Sequence, residues 1–342
     1  MKDLTHSVCE ILINRILHGD FRPGEKLPSE RDFAEKYSIS RITVRRAFFR
    51  LETAGIIVRK RPNGTFVADS FKAHSGALES VGLITALPNE FSGSFVEAVS
   101  NCCEKEDLLL ALGTPSPNTL ESQLKIAARM ASKGIKNLIV WGAEKGHDLH
   151  FFERLRILGV NLVFYDQIVP GAFADYVGLD NKTAVESLFA EAVKRGSKKF
   201  IFLTYGNLNL DSGTEREEAF RTVLKNSGMP GKIIFLPYRA TLQEKESCRT
   251  EILTQMGDDT AVIAMNAPIL HEIFYSPVEH GTLYCIDGAP DLNRLNAIGY
   301  CQPIRKMAEE SVQMLKNQCI KGNKWKSVHK RFTGEITDSP KN

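Results

Sequence analysis

The sequence predicts an α/β protein led by a small helical domain with one β-hairpin, and three observations predict it. Up to about residue 68 the apolar residues recur at helix spacing, and from residue 80 onward short apolar runs alternate with amphipathic helices. Glycine and proline mark the element ends in the first part, at Gly19, Pro23-Gly24, Pro28, Gly55 and Asn63-Gly64. Basic charge is concentrated between Arg41 and Arg61, where seven basic residues face one acid, Glu52. That excess of six is larger than the net +3 of all 342 residues, so the remainder of the chain is net negative. A basic patch confined to one small domain fits a polyanion partner. A hydrophobic content of 43% supports cores in two or three domains.

Each element of the first domain has a local cause. Val8, Leu12 and Ile16 fall on one face of a first helix, which Gly19-Asp20 ends. Ser29 is placed to cap a second helix with acids in its first turn and Phe33 and Ala34 toward the core. Residues 38–40 make a turn, and Ser40 caps a third helix whose apolar stripe is Val44, Ala47, Phe48 and Leu51. Arg41, Thr43, Arg45 and Arg46 then lie on its first turns, the part of a recognition helix that reaches base edges. Arg50 is further along, for a phosphate or water; Arg46 has the alternative of a surface pair with Glu52. Ile56–Val58 and Thr65–Val67 read as strands joined by a basic loop, Arg59 to Gly64, with an Asn-Gly turn. Arg61 on this wing suits the minor groove or backbone, and Gly64 permits close approach. This order of elements is that of a winged helix-turn-helix.

The motifs PGEKLPSER, SISRITVRRAFFRLETAGII and NGTFV closely resemble the GntR-family winged helix-turn-helix, over about the first fifth of the chain. The resemblance implies DNA contacts at Arg31, Arg41, Thr43, Arg45 and the Gly64 wing. The chemistry agrees: arginine pairs bidentately with guanine, threonine meets a thymine methyl or a phosphate, and Arg31 suits phosphate. The DNA-binding domain is assigned to residues 1–69, and 70–79 are read as a small, polar linker.

From residue 80 to 342 strand candidates are residues 81–87, 108–112, 137–141, 161–165, 200–204, 232–236, 261–265 and 283–286, with helices such as 94–105, 120–133, 183–195 and 215–226 between them. This predicts parallel sheets in two lobes, with ligands beyond the carboxyl ends of the strands. Asp166, Ser212, Arg216, Asn266, Asp287 and Gln302 all fall after apolar runs, and Phe91, Phe95 and Trp141 offer aromatic cover, a mixture suited to a polyhydroxylated ligand. Asp180-Asn181 reads instead as a helix cap.

This second part resembles, more loosely, the LacI/GalR effector domain, built like a periplasmic sugar-binding protein. The motifs are VGLITALPNEF, LVFYDQ, YVGLDNKTAV, RGSKKFIFLT, SGTEREEAF, AVIAMNAP, YCIDG and YCQP. The resemblance implies sugar contacts at Asp166, Ser212, Arg216, Asn266, Asp287 and Gln302, with the sugar held between two lobes. Ala267, where that family usually has Asp, and Gln167, where Arg is frequent, depart from its pattern. The combination resembles the AraR type of bacterial regulator. It implies a repressor of carbohydrate-use genes that binds double-stranded operator DNA as a homodimer and is released by a sugar. A non-sugar effector, or a carbohydrate-binding protein or enzyme with a vestigial head, is the alternative.

Enzyme signatures are absent from the sequence. It holds no Walker A motif, GxGxxG or GxSxG elbow, and Asp166 and Asp287 as a glycosidase pair would need a defined separation. His147-x-x-His150 lacks a third metal ligand at matching spacing, so neither metal nor cofactor is expected. Seven cysteines with no CxxC pair, no signal-peptide pattern and no apolar run near the roughly 18–20 residues of a membrane span predict a cytoplasmic protein without membrane contact.

Overall fold

The computed structural model describes residues 4–17, 19–53, 55–68, 76–86, 90–116, 119–142, 149–167, 173–208, 210–288 and 292–337. The helical head comprises α1 (Leu4–Leu17), α2 (Glu30–Tyr37), α3 (Arg41–Thr53) and the hairpin β1 (Ile57–Lys60) with β2 (Gly64–Val67). The caps are those expected. The Ser29 hydroxyl accepts the Asp32 amide at 3.2 Å, and the Ser40 hydroxyl accepts the Thr43 amide at 3.1 Å. Val8, Leu12, Ile16, Phe33, Phe48 and Leu51 close the head core.

The wing differs from the sequence expectation. Lys60 pairs with Gly64, so the loop is only Arg61-Pro62-Asn63, and Arg59 and Lys60 belong to a strand. Gly64 lets the ladder run this far: its φ of +116° disfavours any other residue, and a Cβ there would lie 2.9 Å from Lys26 Cε. The segment before α2 adds to the hairpin, with Leu27 donating to the Thr65 carbonyl at 2.8 Å and Val67 to that of Glu25 at 2.9 Å. Most of the expected linker lies outside the described residues.

Two compact units follow from the packing: residues 1–177 with 308–329, and residues 178–307 with 330–342. The first contains β3 (Ser80–Ile84), α4 (Glu90–Lys105), β4 (Leu109–Gly113), α5 (Leu120–Ser132), β5 (Asn137–Trp141), α6 (Leu149–Ile157), β6 (Asn161–Tyr165) and most of β7 (Asp175–Leu179). The second contains α7 (Asn181–Lys194), β8 (Lys199–Tyr205), α8 (Asp211–Ser227), β9 (Gly231–Leu236), α9 (Leu242–Leu253), β10 (Thr260–Ala264), α10 (Ala267–Ile273), β11 (Thr282–Ile286), α11 (Leu292–Leu295) and β12 (Ile298–Cys301). Helix α12 (Ile304–Lys321) and strand β13 (His329–Phe332) carry the chain back and forth, and β14 (Glu335–Thr337) ends it.

The strand orders are β13-β7-β6-β5-β3-β4 and β14-β12-β11-β10-β8-β9. Strands β3 to β7 are parallel in the first sheet, β8 to β12 in the second. Each sheet reverses direction of growth once, at β3 and at β8, which opens a crevice at the carboxyl ends. Strands β7, β12, β13 and β14 are not among the strand candidates drawn from the sequence.

Helix α1 is buried on two sides. Val8, Leu12 and Ile16 face the head core, while Ile13 is also buried and α1 packs on α5 and α6. Glu10 lies 4.0 Å from Lys133 Nζ, and a Cβ on Gly19 would be 3.3 Å from the Arg154 guanidinium.

At the amino ends of β6 and β7 a buried polar network fixes α12. Arg156 donates to Gln318 at 2.7 Å and to Asn161 at 3.0 Å. Gln318 donates to Asp175 at 2.7 Å, and Asp175 also accepts from Trp325 Nε1 at 3.2 Å and the Val328 amide at 2.7 Å. Burial draws the Arg156 pKa down to about 10, against the pull of Asp175. Removing the Asp175 carboxylate strands one buried and two half-buried donors. Asp175→Ala should therefore cost about 3 kcal/mol, read as a lower urea midpoint at constant slope. A loss below about 1 kcal/mol would show that the network does not hold α12 in place.

Candidate nucleic-acid interface and ligand site

Helix α3 presents arginines because its other side is the core. Arg41, Arg45, Arg46 and Arg50 are exposed opposite Val44, Ala47, Phe48 and Leu51. Arg45 is 75% exposed, and its Nε lies 3.6 Å from Glu30. Glu30 also accepts from Arg59 Nη2 at 2.7 Å, and Arg59 Nε reaches Glu52 at 3.3 Å. Glu52 is therefore the partner of Arg59 rather than of Arg46, because β1 carries Arg59 across the end of α3. Arg59 is a positioning residue of the wing, not part of its tip. Thr43 shares a hydroxyl contact of 2.7 Å with Ser40, and Arg31 pairs with Glu35 at 2.9 Å on an open surface. Arg61 is exposed at the hairpin tip beside the half-buried Gly64. Sequence reasoning missed Glu30 because an acid in a first turn reads as a helix-dipole partner.

In the first unit, Trp141 ends β5 and Asp166 follows β6, so adjacent strands bring them together. Trp141 Nε1 donates to Asp166 Oδ2 at 3.0 Å, and Gln167 Nε2 donates to the same oxygen at 2.9 Å. Asp166 has φ +61°, which turns it out of the strand, and its carbonyl accepts from the Tyr176 hydroxyl at 3.2 Å. Phe91 on α4 lies half-buried, its ring 6.3 Å from that of Tyr165. Phe95 does not belong with it. It is fully buried and stacked on Tyr165 at 3.8 Å, one helical turn deeper and inside the core.

In the second unit, Arg216 is 3% exposed on α8, one turn beyond the buried Ser212. Its Nη1 donates to the Met265 carbonyl at 2.6 Å and its Nε to Asn181 Oδ1 at 2.8 Å. Asn181 in turn donates to Glu215 at 2.7 Å, and Arg331 grips Glu215 with two contacts of 2.7 and 2.6 Å. Burial pushes the Glu215 carboxyl up, but Arg331 and Asn181 outweigh it and hold its pKa below the ordinary value. Asp180 caps α7 as expected, accepting the Thr183 amide at 3.0 Å, whereas Asn181 is a buried bridge. A buried asparagine at the first position of a helix leaves little periodic signal.

Asn266, Asp287 and Gln302 follow the neighbouring strands β10, β11 and β12. Asn266 Oδ1 caps α10 through the Ile269 amide at 3.1 Å. Asp287, at φ +139°, accepts from the Ala267 amide at 3.3 Å and from Gln302 Nε2 at 2.6 Å. A carboxylate can only accept, so it is the amide nitrogen of Gln302 that faces it. That leaves Gln302 Oε1 buried with no partner among the described residues. The His147–His150 pair lies outside the described side chains, and among those described no group of three His, Cys, Asp or Glu residues could hold a metal.

Residues 4–67 match the family described as bacterial regulatory proteins, gntR family. Over 63 residues the chain is 41% identical to the HTH-type transcriptional repressor NagR of Bacillus subtilis strain 168, spanning 18% of this chain and 26% of that one. Over 80 residues it is 29% identical to the arabinose metabolism transcriptional repressor of Geobacillus stearothermophilus, spanning 23% and 22%. The chain thus covers about a quarter of these relatives' lengths. The remainder is similar in fold to a periplasmic binding protein/LacI transcriptional regulator from Alkaliphilus metalliredigens QYMF complexed with D-xylulofuranose, with TM-score 0.62 and 11% identity over 76% of this chain and 97% of that one. A LacI family transcriptional regulator from Enterococcus faecium with bound ribose gives TM-score 0.62 and 18% identity over 76% and 97%. The chain therefore joins a gntR-type helix-turn-helix to a LacI-type, periplasmic-binding-protein-like fold.

The two sides of the Arg216 network should respond unequally to substitution. Asn181→Leu leaves the buried Arg216 Nε without its acceptor and takes one donor from Glu215, and should lower stability by about 2–4 kcal/mol. Arg331→Ala, at a partly exposed pair, should cost less than about 1 kcal/mol. Chemical denaturation of both variants tests this; equal losses would refute the assignment of Asn181 as the buried bridge.

Proposed function

We propose that this protein is a ligand-responsive, DNA-binding transcriptional regulator, a repressor of carbohydrate-use genes whose effector is a sugar or sugar derivative. The observation that carries this reading is the set Arg216, Asp287 and Gln302. Asp287 holds Gln302 at the strand ends, Arg216 on α8 is held on the Met265 carbonyl at the end of β10, and the Gln302 acceptor has no partner among the described residues. Groups held in this way suit hydroxyls, which donate and accept at once. The positive φ of Asp166 and Asp287 supports the same reading, since uncommon backbone angles gather at binding sites. So does the company the fold keeps: similar structures hold ribose and D-xylulofuranose. Phe91, Trp141, Asp166, Ser212 and Asn266 complete the proposed effector contacts.

DNA is the second partner. Arg41, Thr43, Arg45 and Arg46 enter the major groove, Arg31 takes a phosphate, and Arg61 with Gly64 forms the wing contact. A homodimer in the cytoplasm presents two such heads to half-sites about one helical turn, or a multiple of it, apart. All seven cysteines are free thiols, which suits a reducing compartment. The effector acts through its different affinity for the DNA-bound and DNA-free states.

The test is a mobility-shift assay on genomic fragments with and without sugars chosen by thermal shift, because an effector raises the melting temperature by mass action. A sugar that stabilises the protein and releases a fragment is the expected result; stabilisation by no sugar or sugar derivative in a broad metabolite panel overturns the sugar reading. Arg216→Ala should abolish the ligand response while the fragment still binds, whereas a wild-type titration would exclude Arg216 from the effector site. Arg45→Ala should weaken specific binding by about 1–3 kcal/mol and relax base preference at one position. Wild-type affinity should fall steeply with salt as counterions are released, and a flat response would remove α3 from the interface.

A further inference from the structure

We propose that Ile42 is a specificity-determining residue that reads one thymine in each half-site through its C5-methyl group. The inference rests on the DNA-binding reading above and adds a base to it. Ile42 is the second residue of α3 and is 67% exposed. At about 100° per residue, the buried stripe of Val44, Ala47, Phe48 and Leu51 lies opposite Ile42, Arg46 and Phe49. Ile42 therefore occupies the middle of the outward face, with Arg41, Arg45 and Arg46 within one turn of it.

An isoleucine left in water among three arginines contributes nothing to the head's own core. The charge around it selects the occupant of that face. A second copy would bring the same three cations against these, so the face suits a polyanion. Within a major groove the apolar group on a base edge is the thymine methyl. The first turn of a recognition helix is also the part that reaches base edges. Phe49, 64% exposed on the same face, stands about 10 Å further along the axis. It lies beyond that first turn and serves as the control for an exposed apolar side chain away from the bases.

The experiment uses the full chain. Selection from random duplexes defines the preferred site, and each thymine in it is then replaced singly by deoxyuridine, which removes only the methyl. One replacement per half-site should weaken wild-type binding about fourfold, the worth of a methyl-sized group removed from water. Ile42→Ala, checked for an unchanged melting temperature, should bind the thymine site about fourfold more weakly and be indifferent to deoxyuridine at that position. Phe49→Ala should keep the wild-type response. Equal responses of wild type and Ile42→Ala at every thymine, or no methyl effect at any, would overturn the proposal while leaving DNA binding intact. Failure of the wild type to enrich any sequence, together with salt-insensitive binding, would overturn the DNA-binding reading itself.

Discussion

A β-strand or helix that ends inside a protein leaves peptide groups that must find partners, and this requirement shapes both candidate sites. At the end of β10 the Met265 carbonyl is taken by Arg216 and the Ala267 amide by Asp287. Those two side chains are thereby held at the mouth of the second sheet with little rotamer freedom left. Asp287 then holds Gln302, and Asn181 holds Arg216, so one backbone demand propagates into a polar surface spanning three strands. The head answers the same demand with Ser29 and Ser40, and the second of these fixes where α3 begins. Where α3 begins decides which residues stand on its first turn, and so which arginines face outward.

The two sites differ in how their charges are kept. The proposed effector residues are buried or half-buried and tied by hydrogen bonds, an order that lowers the entropic cost of binding a small ligand. The reading head keeps its arginines in water, where each exposed pair is worth little by itself. Glu30 is the exception. It is mostly shielded, contacts Arg59 directly and stands near Arg45. It stands against Arg45 without neutralising the face, because Arg41 and Arg46 stay exposed.

Much of this was legible in the chain, for identifiable reasons. Caps, turns and a helical stripe are local, so Ser29, Ser40 and the Val44–Leu51 stripe could be read in place. Strands buried on both faces announce themselves as continuous apolar runs, as β5 and β6 do. β13 and β14 carry no such run. Three of the four residues of β13 are exposed, and β7 opens on a buried aspartate whose partners stand more than 140 residues away. The candidate ligand residues could be listed because each follows an apolar run, but their partners could not. That Asn181 bridges Glu215 to Arg216, or that Gln167 fixes Asp166, depends on side chains brought together only by the fold. Phe95 failed for the converse reason: helical spacing one turn from Phe91 gives no measure of depth.

Helix α1 links the head to the helices of the first sheet. A surface helix normally buries one stripe, yet α1 buries Ile13 as well as Val8, Leu12 and Ile16, and it packs on α5 and α6 as well as on α3. Close-packed interiors shift between discrete arrangements and do not stretch, so α1 moves with whichever partner it remains packed on. The same helix is packed on α3, and any shift of α5 and α6 therefore reaches the recognition helix through side chains already in contact. Helix α5 in turn packs on β3, the strand at which the first sheet reverses its direction of growth. Side-chain packing thus runs without a break from β3 through α5 and α1 to α3.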